Sequence, residues 1–146
     1  IGAFADMLGA HHISPIFLLA PTSTEERVQA VGRIAKGYVY YVSLNGVTGA
    51  GHLDVADVAL RLEKIRRHVT IPVGVGFGIS DAVSAQRIGN VADAVVIGSK
   101  LIDTMTKACA GLPLEQQSKV AIEAGASWLQ SIRVALDQGR RQDGGV

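Results

Sequence analysis

Three stretches of this sequence set glycine and a hydroxyl residue at the end of an apolar run, a pairing that lets backbone N–H groups come close to an anion. In "YYVSLNGVTGAGH", Tyr40 to His52, Gly46, Gly49 and Gly51 surround Thr48. "VGVGFGIS" places Gly74, Gly76 and Gly78 just ahead of Ser80, and "VVIGSKLI" sets Gly98 and Ser99 where an apolar run turns into a helical pattern. Two successive runs that end in glycine and lead into a helix make a phosphate cradle. The loop after Ser43 is too long and too rich in glycine for a minimal turn, and reads either as a lid with Thr48 as its hydroxyl or as a merely flexible connection. Gly74 and Gly76 read either as relief from crowding inside a tight sheet or as room for a ligand.

The search for an acid or base to act on such an anion finds none. Glu25, Glu26 and Asp54 stand at helix starts, Asp93 opens an apolar run, and no carboxylate closes one. His11 and His12 are adjacent, so they do not share a helix face, and no Cys or carboxylate stands at ligand spacing from them, which argues against a metal site. Cys109, the single cysteine, cannot form an internal disulfide and reads as a small packed residue.

The elements that must position these loops alternate. Four apolar runs, 15–20, 38–43, 72–77 and 93–98, are continuous rather than alternating, as strands covered on both faces require. Residues 2–10 read as a helix. "TSTEERVQAVGRIAKG" carries capping-box spacings from Thr22 or Ser23, has Val28, Val31 and Ile34 on one face and closes on Gly37. The next helix, capped by Asp54, puts Val55, Val58, Leu62, Ile65 and Val69 on one stripe with Arg61, Lys64 and Arg67 facing away. Ser80 begins a short third helix, a fourth follows Gly98, and after Pro113 a last one presents Trp128, Leu129, Ile132 and Leu136 together. Tyr38 and Trp128 read as packing residues, Tyr40 as pointing towards a barrel axis.

This βα alternation admits an open doubly wound sheet or part of a closed (β/α)8 barrel. The 146 residues read as a single domain with a frayed tail at 140–146. A net charge of +1 gives no basis for a nucleic-acid partner, and no run is long enough to span a membrane. A cytoplasmic protein is expected. The start at Ile1, without the features of a signal peptide, reads as a processed product or an internal fragment.

"GYVYYVSLNGVTGAG", "IPVGVGFGIS" and "ADAVVIGSKLID", in this order, resemble the C-terminal half of the tryptophan synthase alpha subunit family. The resemblance implies strands five to eight of a (β/α)8 barrel that cleaves indole-3-glycerol phosphate to indole and glyceraldehyde 3-phosphate. Carried over, the phosphate-binding positions are Gly49, Gly78, Gly98 and Ser99; Thr48 matches the lid threonine, and Tyr40 and Phe77 match pocket residues. Leu44 stands where some members carry Arg. The family's catalytic glutamate and aspartate belong to its N-terminal half and are not in this sequence, so the resemblance implies a fragment inactive alone. It further implies a partner beta subunit that carries pyridoxal phosphate, with no cofactor in this chain. Half a barrel leaves two apolar edge strands, and self-association through them is expected. Two other readings stand beside this one: a non-catalytic module that binds a phosphorylated ligand or a partner, and another phosphate-binding barrel enzyme, against which the "GVTG" after "YYVS" argues.

Overall fold

The structure is a computed structural model and describes residues 2–43, 54–76 and 78–143, the last four of these as backbone. In chain order its elements are α1 (Gly2–Ala10), β1 (Phe17–Leu19), α2 (Glu25–Ile34), β2 (Val39–Val42), α3 (Val55–Arg66), β3 (Val73–Gly76), α4 (Ala82–Gly89), β4 (Ala94–Val96), α5 (Ser99–Ala108) and α6 (Leu114–Asp143). The strands form one sheet in the order β1-β2-β3-β4, and β1 with β2 and β2 with β3 pair in parallel. Each strand lies inside the apolar run that foretold it, and every crossover carries a helix, as parallel neighbours require. Packing gathers the chain into two units, residues 1–78 with 91–95 and residues 79–90 with 96–146.

The first unit holds its core on one face of the sheet. Phe17, Val39 and Val73 align across three strands, as do Leu19, Tyr41 and Val75. Of these, Leu19, Val39, Tyr41, Val73 and Val75 are buried, together with Val28 and Val31 of α2 and Val58, Leu62 and Ile65 of α3. On the opposite face Leu18, Tyr40 and Gly74 form a second row, and Val42 lies beside Gly76. Leu18 is 51% exposed there, and Tyr40 and Val42 are half-buried. Tyr38, expected to pack, precedes β2 on the surface.

Local hydrogen bonds decide where the helices begin. Ser23 is drawn into the turn after β1, its N–H donating to the Ala20 carbonyl at 2.9 Å and its Oγ accepting from Ala20 N at 3.0 Å. The cap of α2 therefore falls to Thr24, whose Oγ1 accepts from Arg27 N, and not to Thr22 or Ser23. Asp54 caps α3 as expected, accepting from Ala56 N and Asp57 N. Arg61 does not face away: its Nε donates to Asp57 Oδ2 at 2.9 Å, and its Nη1 reaches the Pro21 carbonyl at 3.3 Å. Asp93 ties the head of β3, its Oδ2 accepting from Val73 N at 2.8 Å and from Arg66 Nη2 at 3.2 Å.

The second unit is helical. Asp81, not Ser80, caps α4: Asp81 Oδ1 accepts from Ser84 N at 2.8 Å, Ser84 Oγ accepts from Asp81 N, and Ser80 donates its hydroxyl to the same carboxylate. The Ser84 N–H, ahead of the hydroxyl bonds, holds the Asp81 carboxyl below the usual aspartate range. On α6 the buried positions are Gly125, Ile132 and Gly139, seven residues or two helical turns apart. Leu129 falls off that line and is 43% exposed, which corrects its expected place beside Ile132. The Gly125 backbone lies close under Met105 of α5, and the Gly139 backbone under Asn90 at the end of α4. Gln86 adds a bond from Nε2 to the Ala135 carbonyl at 3.1 Å.

Candidate functional site

The expected site residues divide by where they fall. Thr48, Gly49 and Phe77 lie outside the described residues. Tyr40 and Gly78 belong to the first unit, Gly98 and Ser99 to the second.

Tyr40 stands on the less covered face of β2, directly beside Gly74 of β3, with Val42 and Gly76 paired one step further along. Both β3 neighbours on this face lack a side chain, so the space alongside Tyr40 is not filled from β3. Gly78 follows at the carboxyl end of that strand with φ +72°, a conformation that glycine adopts freely and other residues at a cost. A side chain there would meet nothing within 4 Å, so conformation and not crowding requires the glycine.

The two helix starts expected to face an anion differ. At α4 a carboxylate of the chain itself, Asp81, already occupies the helix start. At α5 the cap residue is Gly98, with φ −127°, and no side chain caps the helix. The Gly98 carbonyl accepts from Ile102 N at 3.2 Å, but the first N–H groups of α5 have no intrahelical acceptor. Gly98 and Ser99 are both exposed, and among the described residues no atom beyond its chain neighbours stands within 4 Å of where a Gly98 side chain would begin. Helix dipole and free donors together make this end suited to a phosphate oxygen. Lys100, next along, turns its ammonium back to Asp103 Oδ2 at 3.3 Å, and Lys107 reaches the same oxygen at 3.0 Å. The Lys107 bond, ahead of the Lys100 bond and the two ammonium charges, holds the Asp103 carboxyl below its usual range.

No strand described here carries an acid at its carboxyl end, and among the described residues no group of three His, Cys, Asp or Glu is disposed to hold a metal ion. Cys109 caps the end of α5 and donates Sγ–H to the Gln117 carbonyl at 3.2 Å. No described helix is long and apolar enough to cross a membrane. A residue that sequence reasoning passed over is Tyr41, whose buried hydroxyl has no hydrogen-bond partner. The signal was two adjacent tyrosines in one strand, which must send one phenol to each face of the sheet.

Comparison with known proteins bears on this arrangement directly. The family model described as tryptophan synthase alpha chain matches residues 2–131. The chain is 62% identical over 143 residues to the tryptophan synthase alpha chain of Bordetella bronchiseptica, covering 98% of this chain and 50% of that protein. It is 55% identical over 136 residues to that of Methylibium petroleiphilum, covering 92% and 47%. Among solved structures, the alpha subunit from Legionella pneumophila superposes with a TM-score of 0.76 at 27% identity, covering 93% of this chain and 47% of that one. The tryptophan synthase a2b2 complex of Pyrococcus furiosus gives a TM-score of 0.66 at 26% identity, covering 88% and 50%. The chain thus spans about half the length of the relatives it matches. Its parallel sheet and helical crossovers are those of a (β/α)8 barrel half, and the chain belongs to the tryptophan synthase alpha chain family.

Proposed function

We propose that these 146 residues are one half of a barrel lyase of tryptophan biosynthesis, supplying the phosphate site and part of the pocket that holds indole-3-glycerol phosphate. The observation that carries this reading is the start of α5 at Gly98 and Ser99, which no side chain caps. In this reading Gly49 and Gly78 share the phosphate-binding role, Thr48 acts from the lid, and Tyr40 and Phe77 line the indole pocket. The reaction moves a proton onto the indole ring with carboxylate help and then breaks a carbon–carbon bond in a retro-aldol step. Its acids belong to the other half, so within this span the chain binds and orients. The beta subunit is the proposed partner, pyridoxal phosphate belongs to that partner, and the cytoplasm is the proposed compartment.

The test is a titration with glycerol 3-phosphate. Binding is expected with a Kd near ~1 mM, as for a small ligand with few contacts. Gly98→Asp sets a carboxylate where α4 carries Asp81 and should weaken binding about tenfold or more, through charge at the helix start. No described residue beyond its chain neighbours crowds a Cβ at Gly98, but its φ −127° and ψ −78° are neither extended nor αR, so the thermal midpoint should hold or fall slightly. The control is Gly98→Ala, which carries the same backbone cost without the charge and should bind more tightly than Gly98→Asp. Equal affinity in wild type and variant would refute the assignment.

The ends of the sheet support a second proposal. With β1 at one end and β4 at the other, two copies related by a two-fold axis along the strands would bring β4 of each beside β1 of its partner, all eight strands parallel. We propose that the chain, in the absence of another half, associates in this way. Sedimentation should show a concentration-dependent dimer; a single monomeric species would count against it.

A further inference from the structure

We propose that the first unit carries a second ligand site, on the side of β2 opposite Tyr40, that takes a small monocarboxylate with an apolar body. Successive side chains of a strand point to opposite faces, so Tyr41 leaves the face of Tyr40 and enters the helix-covered side. There it is 1% exposed, and its hydroxyl has no hydrogen-bond partner. A buried hydroxyl left unpaired is unfavourable and calls for an explanation, such as strain, a water or a bound group.

The ring of Tyr41 lines a cavity of about 280 Å³, and its hydroxyl lies behind that wall with less than 1 Å² of accessible surface, so a ligand reaches it only by displacing a neighbouring side chain; the lining says which ligand that would be. Leu19, Val28 and Ile65 give it an apolar wall; Arg61, Lys64 and Arg67 give it positive charge. Arg61 is committed to Asp57 and the Pro21 carbonyl, whereas Lys64 and Arg67 have no ion-pair partner among the described residues. Glu25 and His68 also line the cavity, joined to one another at 3.2 Å, so the single carboxylate of the lining is already engaged. Burial, ahead of the Arg61 charge that opposes it, pushes the Tyr41 phenol up, so it keeps its proton at neutral pH and is available as a donor.

One buried donor, a positive rim and an aliphatic wall match a molecule with one anionic acceptor and a hydrocarbon part. The volume lies just below the ~300 Å³ at which ligand pockets begin, which sets the size near that of benzoate. A free phosphate could use Lys64 and Arg67 but would leave the apolar wall unused. This site is independent of the proposed lyase function, since it lies on the other face of the strand.

The experiment is an NMR titration of the 146-residue chain with benzoate, with neutral benzamide and with inorganic phosphate. Benzoate is expected to saturate with a Kd near ~1 mM and to move the resonances of Leu19, Tyr41 and Ile65, while benzamide binds about tenfold more weakly. Tyr41→Phe keeps the ring and removes the unpaired hydroxyl, so it should weaken benzoate about fivefold while the urea midpoint holds or rises. Joint substitution of the exposed Lys64→Gln and Arg67→Gln should weaken it as well, which keeps the test decisive should the tyrosine variant not fold. Equal affinities for benzoate and benzamide, or for wild type and either variant, would overturn the proposal. So would tighter binding of phosphate than of benzoate. A lowered urea midpoint in Tyr41→Phe with no benzoate saturation would assign the hydroxyl to water, and would overturn it too.

Discussion

Purified alone, these 146 residues should release indole from indole-3-glycerol phosphate no faster than background, and mixing them with the other half of a relative's alpha chain should raise the rate by roughly four orders of magnitude or more. The chain covers half the length of its relatives, and its sheet has four strands where a barrel has eight. Phosphate binding at α5, as proposed above, would hold the substrate but move no proton. Each positioned acid or base contributes about 10²–10⁴ in rate, so a half without them loses the product of two such factors. The measurement is steady indole release by the chain, by the chain with the other half, and by that mixture with a beta subunit added. A further rise in the third arm supports the proposed partner. Steady release in the first arm, with full-length enzyme excluded, would show that an acid of this half does the chemistry.

Gly32→Ala is expected to destabilise the first unit by about 2 kcal/mol, from about 3 of overpacking less about 1 gained in helix propensity. A Cβ at Gly32 would stand 2.1 Å from the His68 carbonyl oxygen and 2.9 Å from its carbon. Those are backbone atoms, and they are held: His68 N and Val69 N both donate to the Ile65 carbonyl, at 3.0 and 2.9 Å. Neither α2 nor the turn after α3 can give way without exposing Val31 or Val69, both buried. Gly9→Ala in α1 is the matched control, because nothing lies within 4 Å of its Cβ position. It should be neutral or slightly stabilising, by up to about 0.5 kcal/mol. Urea midpoints of the two variants make the comparison; a neutral Gly32→Ala would mean that α2 does not approach the His68 turn this closely.

Much of this fold was legible because its signals are local. Continuous apolar runs marked all four strands, and the stripe from Val58 to Ile65 marked the buried side of α3. Caps were legible by type and not by position: Thr22, Ser23 and Thr24 offer equivalent hydroxyls, and the turn after β1 consumes Ser23. Ser80 was expected to begin α4, and the cap falls one residue later because Asp81 pairs with Ser84. Gly32 read as nothing more than a weak helix residue, since its role depends on a carbonyl 36 positions later in the chain. Among the site residues, Gly98 and Ser99 were legible as a strand-to-helix corner. Tyr41 was not, because its cavity is assembled from α2, α3 and the turn after β1, which meet only when the sheet forms.

The row of Leu18, Tyr40 and Gly74 sets the temperature response of whatever closes over it. Its contact area is largely hydrocarbon, so covering it lowers the heat capacity, and the grip slackens as water is cooled. The proposed association of two halves, where it covers this face, should therefore be cold-labile, tighter at room temperature than on ice.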